Sequence, residues 1–515
     1  MSRPEHAKPE QPAADSHPET TKDGRQAKTT NSLGTLPREL LELVIATLCN
    51  HCEKFSSPDR GSLCHEAWKR IALVHLCLVS RVTRAIAQPL LYHSFSSYSS
   101  SEGSDRLLLF LCTVIERPDL AAAVRELQLY GEPGTYPDMA NRHRTIEKAS
   151  TAFGLTFTTE EHWWARANPS EAHPWDRGAP YELRDFFVDL LLLLTSKNLT
   201  AVELSAADKR FSGRFSLTEA RQHAGSNSFA DFPQLRRLML TRYGWYRGNW
   251  KSMLELARPL MAAAANLDVL EIHDSNGLFP FSIRSLEHAD ILRQIRTLLF
   301  RATGYVRTLE LVALMSMFDQ LEALDYRSFR PLSKKKVHFD QVLPAVRLFA
   351  GSLRRLRARF VPHTRYLTSG LAVAEAAYKP LRPGALGMMR VLEVLWIDQA
   401  AFRRLGWGRW DTVVMPADES AESTLAAVLP RSIRVLFIVK VYQPSIAIDL
   451  AHLAAWAADA RLPALEKVCV DTEVLPDEVD RDGIVDGFRG TGVRVLFGRF
   501  EEWDYPIYRE DVFFD

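Results

Sequence analysis

The sequence predicts an α/β protein: a short helical domain, then a curved solenoid with a parallel β-sheet on its concave face and helices outside. Three observations carry this. An apolar residue recurs at i, i+3 and i+5 in eleven segments between residues 124 and 498. A stretch of helical period precedes nearly every one of them, and a group of short helical patterns comes before them all. A strand and a helix cannot bury both apolar faces alone, whereas stacked copies share one continuous core.

In chain order, residues 1–32 are rich in Pro, Ala, Thr, Lys and Glu and hold no large apolar residue except Met1. They cannot offset the entropy of ordering, so a disordered tail is expected. No signal-peptide core occurs there, and apolar runs such as Leu190 to Leu194 are far too short to span a bilayer. A cytoplasmic or nuclear protein without a membrane partner is expected. The net charge of +1 over 515 residues gives no reason to expect a nucleic-acid partner.

The first helix should begin at Pro37, which suits a position where an N–H has no partner, with Glu39 near the positive helix end. Leu40, Leu41, Val44, Ile45 and Leu48 then form one stripe. A second helix over about 66–78 carries Trp68, Ile71, Ala72, Leu76 and Leu78, and a third over about 81–87 should end before Pro89. A bundle this small leaves apolar surface for a partner.

Leu36-Pro-Arg-Glu-Leu-Leu41, Leu76-Cys-Leu-Val-Ser-Arg81 and Ala87-Gln-Pro-Leu-Leu-Tyr92 resemble an F-box covering about residues 33–95. The resemblance implies docking onto the Skp-type adaptor of a Skp-cullin-F-box ubiquitin ligase. The adaptor-binding residues would be Leu36, Pro37, Leu40, Leu41, Val44, Leu76 and Val79, with Leu78 or Leu90 in support. An insertion at about 49–65 departs from the short turn usual in that family. A helical cap that only seals the next domain is the rival reading.

The insertion holds Cys49-Asn-His-Cys52 and Cys64-His65, donors that could ligate zinc. Their spacing matches no finger family, so a bland insertion is expected, with no metal and no cofactor. The six cysteines suggest buried thiols rather than a disulfide framework.

The eleven repeated segments begin at Val124, Leu199, Leu235, Leu267, Ile295, Leu321, Leu353, Leu392, Ile433, Leu465 and Val493. From Leu199 onward the starts are 26 to 41 residues apart. Helices are expected over about 181–196, 251–265, 306–319, 341–350, 423–429 and 450–460. The array resembles leucine-rich repeats of the long, irregular kind that follows the F-box in many F-box proteins, and it should occupy about 105–500. The Asn or Cys expected three residues past the last leucine is mostly missing. A doubly wound sheet is the competing fold. The long first gap makes about 131–180 an inserted loop, with Trp163, Trp164 and Trp175, and 501–515 an acidic, aromatic tail.

Side chains alternate along a strand, so positions i+2, i+4 and i+6 should share the concave face. Arg301, Arg327 and Arg359 fall at i+6 of successive repeats, Arg355 and Arg357 extend that face, and Arg237 lies at i+2 of an earlier repeat. Guanidinium forks suit carboxylate or phosphate, so an acidic or phosphorylated target segment is one reading. In the other, Asp325 and Glu271 on the same face neutralise the row. Trp396, Phe437 and Phe497 at i+4 should form an apolar strip that holds a target hydrophobe or is itself covered.

No nucleophile elbow, His-Glu-x-x-His, phosphate-binding Gly-Lys loop or kinase signature is present. Gly490-Thr-Gly492 precedes a strand and reads as a turn, and Lys334 to Lys336 as a solvated loop. The expected function is therefore non-catalytic: a substrate-recruiting subunit that holds the ligase adaptor by its F-box and a target protein by its repeats. The alternatives are an interaction scaffold and an unrecognised α/β enzyme.

Overall fold

The computed structural model describes residues 36–49, 52, 63–97, 103–129, 148, 178–206, 231–242, 253–274, 289–302, 308–328, 339–359, 381–402, 424–439, 441, 445–472 and 479–498. The proposed N-terminal tail, most of the 131–180 loop with its three tryptophans, Lys334 to Lys336 and the C-terminal tail lie outside them. The chain divides into two compact units, Met1–Val44 and Ile45–Asp515. No described helix is long and apolar enough to cross a membrane.

Helix α1 spans Arg38–Ala46, α2 Leu63–Val79 and α3 Arg81–Tyr92. Ser80 caps α3: its Oγ accepts from Thr83 N–H at 3.1 Å while Thr83 Oγ1 accepts from Ser80 N–H at 3.1 Å, satisfying two backbone donors. The helix does not stop before Pro89 as the sequence suggested. One intrahelical bond is forgone, but Tyr92 is carried onto Phe110, ring centroids 5.6 Å apart, and that packing holds the last turn. Helices α2 and α3 pack on each other, and α3 also meets β1 (Ser94–Ser96) and α5 (Pro118–Ala121), which follows α4 (Gly103–Glu116).

From there strand and helix alternate: β2 Glu126–Leu129, α6 Gly178–Thr195, β3 Ala201–Ala206, β4 Arg237–Arg242, α7 Met253–Ala263, β5 Val269–Asp274, α8 Ala289–Leu292, β6 Thr297–Ala302, α9 Thr308–Met315, β7 Ala323–Ser328, α10 Phe339–Arg347 and β8 Arg355–Arg359. Then come β9 Val394–Asp398, α11 Thr424–Val428, β10 Val435–Val439, α12 Ile446–Ala458, β11 Lys467–Asp471, α13 Arg481–Gly487 and β12 Arg494–Gly498. All eleven repeated segments form strands, and β1 adds one that the pattern did not reveal.

The twelve strands make one parallel sheet in strictly sequential order, not closed into a barrel. A doubly wound sheet reverses its strand order at a switch point, and this sheet has no such reversal. Sequential order is what stacked copies of one unit give.

One face of the sheet carries the principal core. Position i+3 places Leu238, Leu270, Leu298, Leu324, Leu356, Leu395 and Leu436 side by side, all buried. Position i+5 adds Leu240, Ile272, Phe300, Tyr326, Ala358, Ile397 and Ile438. Burying each large side chain contributes about 1.5–3 kcal/mol, so these rows are the main source of cohesion. The last repeat is one residue out of the expected register. Arg494 pairs with Lys467, which puts Val495 and Phe497 on the core face and Leu496 on the other. A one-residue slip exchanges the faces of a strand, so Phe497 does not join the apolar strip. Gly490 and Gly492 have φ of 86° and 80° and form the turn that sets this register.

Two further stitches join the repeats. A polar residue immediately before the first apolar position donates to a carbonyl of the preceding repeat: Asn198 to Ala122 at 2.9 Å, Asn266 to Pro233 at 2.7 Å, Gln294 to Ala264 at 3.2 Å, Ser352 to Leu321 at 2.9 Å and Ser432 to Leu392 at 2.9 Å. Position i+1 alternates in charge, and it forms Arg296–Glu322 at 3.2 Å, Arg354–Glu393 at 3.4 Å and Arg434–Glu466 at 2.8 Å. These pairs are exposed and each contributes little.

Candidate functional site

Helix α1 is apolar on two sides. Leu41 and Ile45 are buried, as is Cys49 beyond the helix end, while Leu36, Leu40, Leu43 and Val44 are 38%, 49%, 66% and 48% exposed. A surface helix ordinarily has a single apolar stripe, turned to the core. The spacing Leu36, Leu40, Val44 is a second stripe that meets water. Of the expected adaptor contacts, Leu36, Pro37, Leu40 and Val44 are thus accessible, whereas Leu41 is 2% exposed. Leu43, absent from the expected set, is accessible.

Within the second unit, α2 turns Leu73 inward and leaves Trp68, Ile71, Val74 and Leu78 exposed. Val79, the last residue of α2, is 70% exposed and Val82 is exposed as well, whereas Leu76 and Leu90 are half-buried. Ten of the seventeen exposed large apolar side chains among the described residues therefore fall between Leu36 and Val82. Patches of this kind mark interaction surfaces in proteins that otherwise bury such groups.

The sheet's second face has the opposite character. The register sets Arg301 beside Arg327 and Arg327 beside Arg359, and Asp325 beside Arg357. Glu271 is wholly buried. It accepts from Arg237 at 2.6 Å, lies 2.6 Å from His273 Nε2, and pairs with Arg301 at 3.2 Å. Burial alone would raise its pKa, but the His273 contact and the Arg237 and Arg301 charges outweigh burial and hold it well below the usual carboxylate range. Asp325 is likewise buried and depressed: the Arg327 and Arg357 charges, with the Arg327 hydrogen bonds, outweigh desolvation. Arg327 grips it through Nε at 2.9 and 3.0 Å and Nη2 at 2.6 Å.

The arginine row is thus balanced by carboxylates of the same face. Arg327 and Arg357 are buried, so an acidic target would have to displace Asp325 to reach them. Arg301 and Arg355 are partly exposed, and the side chain of Arg359 lies outside the described residues.

Beyond Arg357 the face becomes apolar. Its guanidinium sits 5.8 Å over Trp396, and Trp396 stacks on Phe437 with centroids 4.6 Å apart and planes at 5°. Both rings are buried, together with Val394, Val435, Val439 and Cys469, so the strip is a second core rather than an open anchor site. Strands β9 and β10 are buried on both faces, as continuous apolar runs in parallel sheets usually are.

Among the described residues one group of metal-binding type occurs: Cys49, Cys52 and His93. The Cys49 thiol is lowered to about 4, chiefly by its hydrogen bond with Cys52, against burial and with help from His93. Cys52 is pushed up by the same hydrogen bond. His93 was not anticipated, since it lies 41 residues from Cys52 in sequence. The side chains of Cys64 and His65 lie outside the described residues.

No known protein family matches this chain, and no curated protein is similar to it.

Proposed function

We propose that this chain is a substrate-recruiting subunit of a Skp-cullin-F-box type ubiquitin ligase, with an F-box at about residues 33–95 and irregular leucine-rich repeats after it. One observation supports the reading: Leu36, Leu40 and Val44, and separately Leu78 and Val79 at the end of α2, are exposed apolar side chains at positions where the F-box resemblance puts adaptor contacts. The contact set is Leu36, Pro37, Leu40, Val44, Leu76 and Val79, joined by Leu43 and Leu78. Leu41 supports them from the buried side.

The repeats hold the target. An acidic segment would meet this face at Arg301 and Arg355, which are partly exposed, rather than at Arg327 or Arg357. The subunit performs no bond chemistry. Tethering a target near the charged ubiquitin carrier replaces a bimolecular encounter by a local one of high effective concentration.

A scaffold whose N-terminal helices only cap the repeats is the second reading, and the packing of α3 on β1 and α5 favours it. Co-purification with a purified Skp-type adaptor separates the two. The native chain should retain the adaptor, and a Leu40→Asp, Val44→Asp variant with an unchanged melting temperature should not. If the native chain fails to retain the adaptor, the capped scaffold is the better account.

A further inference from the structure

We infer that Cys49, Cys52 and His93 form a zinc-binding site that fastens the turn after α1 to the junction of α3 and β1. All three residues belong to the second unit, and the inference stands whether or not the chain docks an adaptor.

The argument begins with the turn. Cys49 and Cys52 are three apart, and the turn is closed by a hydrogen bond from Cys52 N–H to the Cys49 carbonyl at 3.0 Å. Such a turn brings both sulfurs to one side. His93 approaches them from the far end of the helical segment, with Nδ1 3.6 Å from Cys49 Sγ and 3.3 Å from Cys52 Sγ. All three donor atoms lie within 4.8 Å of one another.

Those separations are the edges a tetrahedral zinc ion needs. With Zn–S about 2.3 Å and Zn–N about 2.05 Å at the tetrahedral angle, sulfur and nitrogen should be about 3.6 Å apart. The two observed distances bracket the range from that ideal to a modest compression. Two thiolates and an imidazole are donors that suit zinc, and hard cations such as Mg²⁺ or Ca²⁺ would not choose them. Cys49 is buried while Cys52 and His93 are partly exposed, and the three donors leave the fourth tetrahedral position to a further ligand.

A disulfide between Cys49 and Cys52 would join the two sulfurs but would give the His93 ring no part. The approach of one ring nitrogen to both sulfurs, at 3.6 and 3.3 Å, is the feature that favours a shared ion over a cross-link.

The consequence is structural. His93 closes α3, and its carbonyl accepts the N–H groups of Arg125 and Glu126 at 2.9 Å each, where β2 begins. An ion held by the ring of the same residue would connect the turn, the end of α3 and the first strands of the sheet at one point. Because the ligands are gathered only in the folded chain, zinc affinity would appear as folding stability.

The test uses the full chain, purified under reducing conditions without chelator, and measures zinc by elemental analysis. One equivalent is expected in the native protein. It should fall to background in Cys49→Ser, Cys52→Ser and His93→Ala, and remain in Cys77→Ser. A second measurement avoids dependence on variant folding: the native chain, stripped by chelator and titrated with Co²⁺, should develop tetrahedral visible bands and a thiolate charge-transfer band that saturates at one equivalent. A native chain that takes up neither ion after full reduction overturns the site. So does metal that survives in all three ligand variants, or a Cys49–Cys52 disulfide that reforms in place of uptake.

Discussion

The N-terminal helices and the second face of the sheet invert the usual division between apolar interior and polar surface, in opposite senses. Helices α1 and α2 leave Leu40, Val44 and Leu78 in water, while the sheet buries Glu271, Asp325, Arg327 and Arg357. The difference lies in what completes each region. Glu271 and Asp325 are met by arginines of the same face, and Arg327 and Arg357 in turn by Asp325. The exposed leucines present an apolar surface to solvent, which a partner would remove from water. A polar surface is therefore not where recognition must be sought in this protein.

The comparison breaks most visibly if one buried charge is removed. Asp325→Ala leaves Arg327 buried and uncompensated and should destabilise the chain by about 3–5 kcal/mol in denaturant unfolding. A cost under about 1 kcal/mol would mean that the pair is not buried as described. Trp396→Ala should cost about as much, roughly 3–5 kcal/mol, through lost packing on Phe437 and Arg357.

Acid should act on the sheet face and spare the helices. The folded pKa values of Glu271 and Asp325 are depressed, so the stability these groups contribute is fully present above their unfolded values, about 4, and is lost as pH falls below them. Unfolding midpoints should therefore fall progressively as pH drops below about 4, and Glu271→Gln should flatten that dependence. A profile identical to the native one would remove Glu271 from the charge balance.

Smaller still is the stitch between repeats. Asn266→Ala should cost about 1 kcal/mol, one hydrogen bond to the Pro233 carbonyl. Least of all, Leu40→Asp with Val44→Asp should alter stability by no more than about 0.5 kcal/mol per site, because the two residues are 49% and 48% exposed, while abolishing adaptor retention. Strong destabilisation by that pair would show that α1 is a cap after all.

The eleven strands were legible because the i, i+3, i+5 pattern is imposed by a core that every repeat must share. Six of the six helices expected among the repeats also formed, since their period differs from that of the strands. Register at β12 was not legible. Val493-Arg-Val-Leu-Phe-Gly498 fits the pattern in either of two frames, and the Gly490 and Gly492 turn chose the other. The interrepeat stitches were written at i−1 and i+1, positions outside the pattern that was sought. Of the candidate site, the arginine row was visible, but its burial was not, because strand alternation says which face a residue occupies and nothing about what covers that face. Leu40 and Leu41 are neighbours in sequence with opposite fates. A stripe of adjacent leucines is wide enough to face two ways, and only packing decides between them. His93 could not be joined to Cys49 and Cys52 from sequence, because the fold alone brings the end of α3 back to that turn.

Amide hydrogen exchange of the full chain, with and without a purified Skp-type adaptor, tests the central claim most directly. Added protection in α1, α2 and the start of α3, with the twelve strands unchanged, is the result this account predicts. Protection that appears only in the sheet, or none at all at adaptor concentrations that saturate F-box proteins, would contradict it.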